Sequence, residues 1–214
     1  SSFDAWSKFY RPDENTPNAV VSYYAKGALA AMALDLTLRN QSRTSLDEVM
    51  LTLWERYGKT GRGVGEDDIR LIAEELSGLK LKRFFADAVL GTAELPLKKL
   101  LAPFGIKLDW DTVDRADRTR IPSLGIKTAA EGNEVRLATV YDGSVAQVAG
   151  LAAGDILLAI DGLRTTTATL DKMLVRHQPG DLLKIHAFRR DELMEFALHL
   201  DQAPADTARL HAEK

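Results

Sequence analysis

The hydrophobic period of this chain changes once along its 214 residues, from the spacing of helices to the spacing of strands. A chain patterned in that way cannot form one uniform architecture, because each period buries a different kind of face. The aromatic residues divide at the same place. Twelve of the 15 lie at or before Trp110, and only Tyr141, Phe188 and Phe196 follow it. Between the two regions runs the mostly charged stretch Asp109 to Arg120. Its low hydrophobicity gives it no reason to pack, and it is read as a linker.

The first region is patterned for helices. Thr16-Pro17 offers a start signal with proline at the first helical position, where the missing N–H costs nothing. From Ala19 to Leu38 few polar residues interrupt the apolar positions, which predicts a helix buried nearly all round. Ser45 and Glu48 have capping-box spacing ahead of Leu46, Val49, Met50, Leu53, Trp54 and Tyr57, with Gly58 as the stop. Ile69, Ile72, Ala73 and Leu76 repeat the device before Gly78. Leu81, Phe84, Phe85 and Ala88 do so before Gly91, and a last short helix over 95–104 ends at Gly105.

The second region is patterned for strands. Val135, Leu137 and Thr139 alternate with less apolar neighbours, and 156–160 is a short apolar run closed by the turn pair Asp161-Gly162. Leu170, Met173 and Leu174 suggest one amphipathic helix. Two further alternating runs, 182–188 and 193–200, are joined by the charged turn Arg189-Arg190-Asp191-Glu192. The fold class is therefore α + β, an all-helical N-terminal subdomain over 1–110, a linker over 111–120 and a small β-rich domain over 121–203.

Composition removes several chemistries. With no cysteine there is no disulfide framework, thiolate nucleophile or Cys-ligated metal site, and the count fits cytoplasm and periplasm alike. A net charge of -3 without a basic tract argues against nucleic-acid binding, which needs clustered cations. The longest uncharged apolar run, Gly27 to Leu34, falls far short of the ~20 residues a membrane span needs. The histidines at 177, 186, 199 and 211 lack the helical spacing of paired metal ligands, so each is read as a surface or core residue. Gly61-Arg62-Gly63-Val64-Gly65 has neither the lysine nor the preceding strand of a phosphate loop, and serves as a connector. Glu66-Asp67-Asp68 opens a helix, where the macrodipole accounts for the acidic run. The chain opens on Ser1 with no charged-then-apolar leader, so either a leader has been removed or this is a piece of something longer.

The informative cluster is Tyr23-Tyr24-Ala25-Lys26-Gly27. Glycine inside a helix costs about 1 kcal/mol against alanine, which points to a close approach at Gly27. Two readings stay open. The tyrosines pack as core aromatics while Lys26 snorkels to solvent, or a phenol faces a cleft where its O–H stabilises a developing oxyanion.

Tyr24-Ala25-Lys26-Gly27 resembles the Y-x-K-G element of gluzincin aminopeptidases. The frame Phe3-Asp4-Ala5-Trp6, then Tyr10-Arg11-Pro12-Asp13-Glu14-Asn15-Thr16-Pro17-Asn18, resembles the glycyl aminopeptidase family of zinc metallopeptidases. Gly91-Thr92-Ala93-Glu94-Leu95-Pro96-Leu97 resembles the end of that family's catalytic domain. That family carries a C-terminal PDZ domain. Ser123-Leu124-Gly125-Ile126 resembles a carboxylate-binding loop, and Ser144 to Leu151, Gly154-Asp155-Ile156 and Ile160-Asp161-Gly162 are similar to the bacterial PDZ pattern.

The resemblance implies a bacterial protein, cytoplasmic or periplasmic, that releases small N-terminal residues from peptides by metal-activated water. The family's H-E-x-x-H and later glutamate are not in this sequence, so the zinc of the parent enzyme would be held by an upstream catalytic region. Tyr24 alone is carried over as catalytic, hydrogen-bonding the tetrahedral oxyanion, with Lys26 and Gly27 as motif support. The isolated chain is expected to be inactive. The PDZ groove is expected to take a peptide C-terminus or an internal strand, using Ser123, Leu124, Gly125 and Ile126 with Leu170, Met173 and Leu174 as a helical wall. Arg118 or Arg120 would add positive charge beside the loop. The alternative is a stand-alone PDZ adaptor without catalysis.

Overall fold

The computed structural model describes residues 2–112 and 122–213. Residues 113–120 of the expected linker, with Arg118 and Arg120, therefore lie outside the described residues. In chain order the helices are α1 Ser2–Phe9, α2 Thr16–Ala19, α3 Tyr23–Gln41, α4 Leu46–Leu53, α5 Asp68–Ser77, α6 Lys82–Phe85, α7 Leu97–Leu101, α8 Val145–Val148 and α9 Leu170–Leu174. The strands are β1 Ile106–Asp111, β2 Pro122–Ser123, β3 Ile126–Glu131, β4 Glu134–Val140, β5 Ile156–Ile160, β6 Leu163–Arg164, β7 Leu182–Arg189, β8 Glu192–His199, β9 Asp201–Gln202 and β10 Thr207–Ala212. No described helix is long and apolar enough to cross a membrane. The chain falls into two compact units, Ser22–Asp109 with Ala208–Lys214, and Ser1–Val21 with Trp110–Thr207.

The helical unit is stopped and started by local chemistry. The expected single helix from Ala19 is broken, because Val20 is extended at φ -121 and Ser22 opens α3 by accepting the Ala25 N–H at 3.3 Å. The capping box at α4 is formed. Glu48 takes the Ser45 N–H at 3.0 Å and the Thr44 hydroxyl. Those donors hold the Glu48 carboxyl below its ordinary value, the Thr44 hydroxyl first. The cap is therefore complete above that ordinary value and loosens as pH falls through the lower, folded one. Glu74 of α5 reaches ahead to receive the Leu81 and Lys82 N–H groups at 2.7 and 3.1 Å, starting α6. Gly78 and Gly105 end their helices at φ 71 and 68, where a side chain is disfavoured. After α4 and α6 the chain continues as single wide turns, Trp54–Gly58 and Ala86–Leu90.

The unit's core joins Leu34 and Leu38 of α3 to Val49, Leu53, Ile72, Ala73 and Leu81. Within α3 only Ala33, Leu34, Thr37 and Leu38 are buried. The expected all-round burial is thus confined to the C-terminal half, because α4, α5 and α7 contact α3 while much of Tyr24 to Met32 stays exposed. A ribbon of β1 and β10 completes the unit.

The β-rich unit is an antiparallel sheet in the order β3-β4-β5-β7-β8, with β6 on β5 and a separate short pair β2-β9. Two tight hairpin turns carry positive φ at the positions that need it, Asp161-Gly162 at 50 and 78, and Arg190-Asp191 at 49 and 67. The core gathers Val135 and Leu137 of β4, Leu157 and Ile160 of β5, Leu183 and Ile185 of β7 and Phe196 and Leu198 of β8. Asp155 is 1% exposed and grips Arg189 through two bonds of 2.8 Å. That contact, led by its hydrogen bond, raises the Arg189 pKa.

Candidate functional site

Tyr24 stands in the first turn of α3 and is 59% exposed. Its ring lies 4.3 Å from that of Tyr23, tilted by 33°. Tyr24 is therefore not a core aromatic, and the half-buried Tyr23 lies outside the core cluster. Lys26 is half-buried and does not snorkel; its ammonium donates to the Gly91 carbonyl at 3.3 Å. Gly91 is itself confined, since a Cβ there would meet the Ala86 and Asp87 carbonyl oxygens at 2.7 and 2.9 Å. Lys26 thus ties the motif on α3 to the turn after the 86–90 segment. The close approach expected at Gly27 is not found, as nothing comes within 4 Å of a Cβ there. Further along α3, Leu29 and Met32 are also partly exposed, at 42% and 38%. Among the described residues no three His, Cys, Asp or Glu side chains form a group able to hold a metal. The zinc implied by the resemblance does not fit these residues.

A second site lies in the β-rich unit. Among the described residues β3 is an edge strand, so one row of its backbone groups is open to an added strand. The loop Ser123-Leu124-Gly125-Ile126 leads into it. Leu124 is buried at 1% exposure, and its carbonyl accepts from the Ala146 N–H at 3.2 Å. The Gly125 carbonyl accepts from the Tyr141 N–H at 2.9 Å. In a planar trans peptide the next N–H points the opposite way, so the Ile126 N–H faces away from β4, toward the open edge. The Gly125 N–H is already engaged by the Ser123 hydroxyl at 3.0 Å. Gly125 has φ +70 and a Cβ there would sit 2.2 Å from the Ser144 Cβ, so only glycine fits.

Leu170, Met173 and Leu174 point mainly inward, at 8, 8 and 7% exposure within the core cluster, leaving little surface for a ligand. Met173 also lines a cavity of about 280 Å³ with Ile160, Leu163 and Arg176. Sequence reasoning gave no role to Asn18, whose side chain bridges to the backbone at the end of β4. Its amide donates to the Val140 carbonyl at 2.9 Å and accepts from the Asp142 N–H at 3.2 Å. The signal was present only as one letter of the N-terminal motif.

Residues 1–30 match the M61 glycyl aminopeptidase family, and residues 136–185 match the PDZ domain. A crystal structure of an aminopeptidase N family protein from Idiomarina loihiensis matches all of this chain at 38% identity and a TM-score of 0.91. The chain spans 38% of the length of that protein. An HtrA-type protease AlgW solved with a decapeptide aligns over 39% of this chain and 30% of its own, at 22% identity and a TM-score of 0.37. The serine endoprotease from Yersinia pestis aligns over 39% of this chain and 29% of its own, at 19% identity and a TM-score of 0.35. No curated protein matches the chain.

Proposed function

We propose, from the premise that this chain is an M61 glycyl aminopeptidase-like segment joined to a PDZ domain, that it contributes one wall of a peptidase active site. Tyr24 supplies the phenol of that wall. Its O–H donates to the oxygen of a scissile carbonyl as negative charge develops there, an interaction that strengthens only in the transition state. Lys26, held on the Gly91 carbonyl, fixes the turn of α3 from which the phenol projects. Gly27 keeps the neighbouring surface bare, so that a substrate or a further domain can lie against the helix. The zinc that would activate water belongs to residues outside this chain, in an upstream catalytic region that covers the exposed half of α3.

The observation that carries this reading is the 59% exposure of Tyr24 in the first turn of α3, with Leu29 and Met32 of the same helix also exposed. Large apolar side chains left in the open along one helix fit a surface buried against more protein. The PDZ unit adds an edge strand for an extended peptide, either a C-terminus at the 123–126 loop or an internal strand along β3.

The test is turnover of a glycyl or alanyl anilide by this chain alone, with and without added zinc. No hydrolysis above background is expected. Zinc-dependent turnover by the isolated chain would overturn the assignment, because it would require a metal site among these residues.

A further inference from the structure

We propose that Asn18 is a positioning residue for the peptide groove, so that the PDZ unit of this chain binds peptide most tightly with the Asn18 side chain in place. The inference rests on the peptide-binding reading of the β3 edge. It starts from a contact that joins residues 122 positions apart in the chain. The Asn18 amide donates one proton to the Val140 carbonyl at 2.9 Å and the other to the Asn15 side chain at 3.0 Å. Its oxygen accepts the Asp142 N–H at 3.2 Å. Both protons and an acceptor site are used, and the two backbone partners leave only one orientation of the amide.

The residue enclosed by that clamp is Tyr141, whose N–H holds the Gly125 carbonyl at 2.9 Å. Fixing 140–142 fixes the Gly125 carbonyl. Through the planar peptide unit this also fixes the direction of the Ile126 N–H toward the open edge. Since the Gly125 N–H is occupied by Ser123, the Ile126 N–H is the loop donor on which a carboxylate or an added strand would depend. The far side of the clamp is equally tied down. Gln147 donates to the Asp142 carboxylate at 2.7 Å and accepts the Gly143 N–H at 2.7 Å. Ser144 backs directly onto Gly125. Asn18 is half-buried and lies outside the core cluster, so its effect is on the aim of the loop rather than on the fold.

The test uses the whole chain and a phage-displayed library of random C-terminal decapeptides, from which the tightest binder is synthesised and titrated. Asn18→Ala is expected to weaken that peptide about tenfold through lost preorganisation. Hydrogen exchange of the Tyr141 amide should speed up, while the Ile185 amide in β7 stays as protected as in the unaltered chain. If the alanine variant does not fold, Asn18→Asp is read the same way, because it keeps an acceptor for the Asp142 N–H and loses donation to the Val140 carbonyl and to the Asn15 side chain. Affinity within about twofold of the parent chain, or unchanged exchange at Tyr141, overturns the proposal and leaves peptide binding intact. A library from which the unaltered chain selects nothing overturns the peptide-binding reading itself, and this proposal with it.

Discussion

On the role proposed for Tyr24, a Tyr24→Phe substitution in a protein that carries the proposed upstream catalytic region is expected to lower kcat by about 10²–10³-fold and to leave KM within about twofold. The change deletes one oxygen and keeps the ring, so packing against Tyr23 at 4.3 Å is retained. A donor that meets the oxygen only as charge develops contributes little to ground-state binding, and its removal falls on turnover. Tyr24 is 59% exposed in this chain, so the substitution disturbs no core. The measurement is steady-state kinetics on a peptide amide with matched metal content in both proteins. A rise in KM at constant kcat would make Tyr24 a binding residue. Unchanged kinetics would leave it with no part in the chemistry.

Asp155→Ala is expected to destabilise the β-rich unit by about 2–4 kcal/mol, the cost of losing charge-assisted hydrogen bonds to a partly exposed guanidinium and of orphaning a backbone N–H. Asp155 is 1% exposed, bonds Arg189 twice at 2.8 Å and accepts the Ala152 N–H at 2.9 Å. Its removal orphans that N–H and leaves the guanidinium with the Gly150 carbonyl at 2.7 Å and a stacking contact on Phe196. For a domain of about 100 residues the loss corresponds to a fall in Tm on the order of 20 °C. Thermal unfolding followed by circular dichroism reads it. A loss below about 1 kcal/mol would show that the pair behaves like a solvated surface bridge.

What could be read before the structure was whatever is decided within a few residues. Ser45 and Glu48 form their box, Gly78 and Gly105 end their helices, and Asp161-Gly162 turns its hairpin, because each depends on neighbouring backbone geometry alone. Residues 106–111, expected as the end of the helical subdomain and the start of the linker, form β1, whose partner β10 lies at the far end of the chain. No local pattern names such a partner. Asn18 was hidden for the same reason, since its backbone partners belong to the end of β4 and the residues beyond it. The exposed half of α3 shows another limit. An apolar helix predicts that something covers it, and periodicity does not say whether the cover lies in the same stretch of chain. One of the two readings puts Lys26 at the surface, because a lysine on an apolar helix ordinarily reaches for water. The Gly91 carbonyl, 65 residues away, offered it a nearer acceptor.

The measurement that bears most directly on the assignment is the mass of the native protein in its source cells, detected with an antibody raised against this chain. A band well above 23.6 kDa is expected, containing an upstream region able to cover α3 and hold zinc. A single band at 23.6 kDa would contradict it, because a chain of that size would have to work without the metal-binding part.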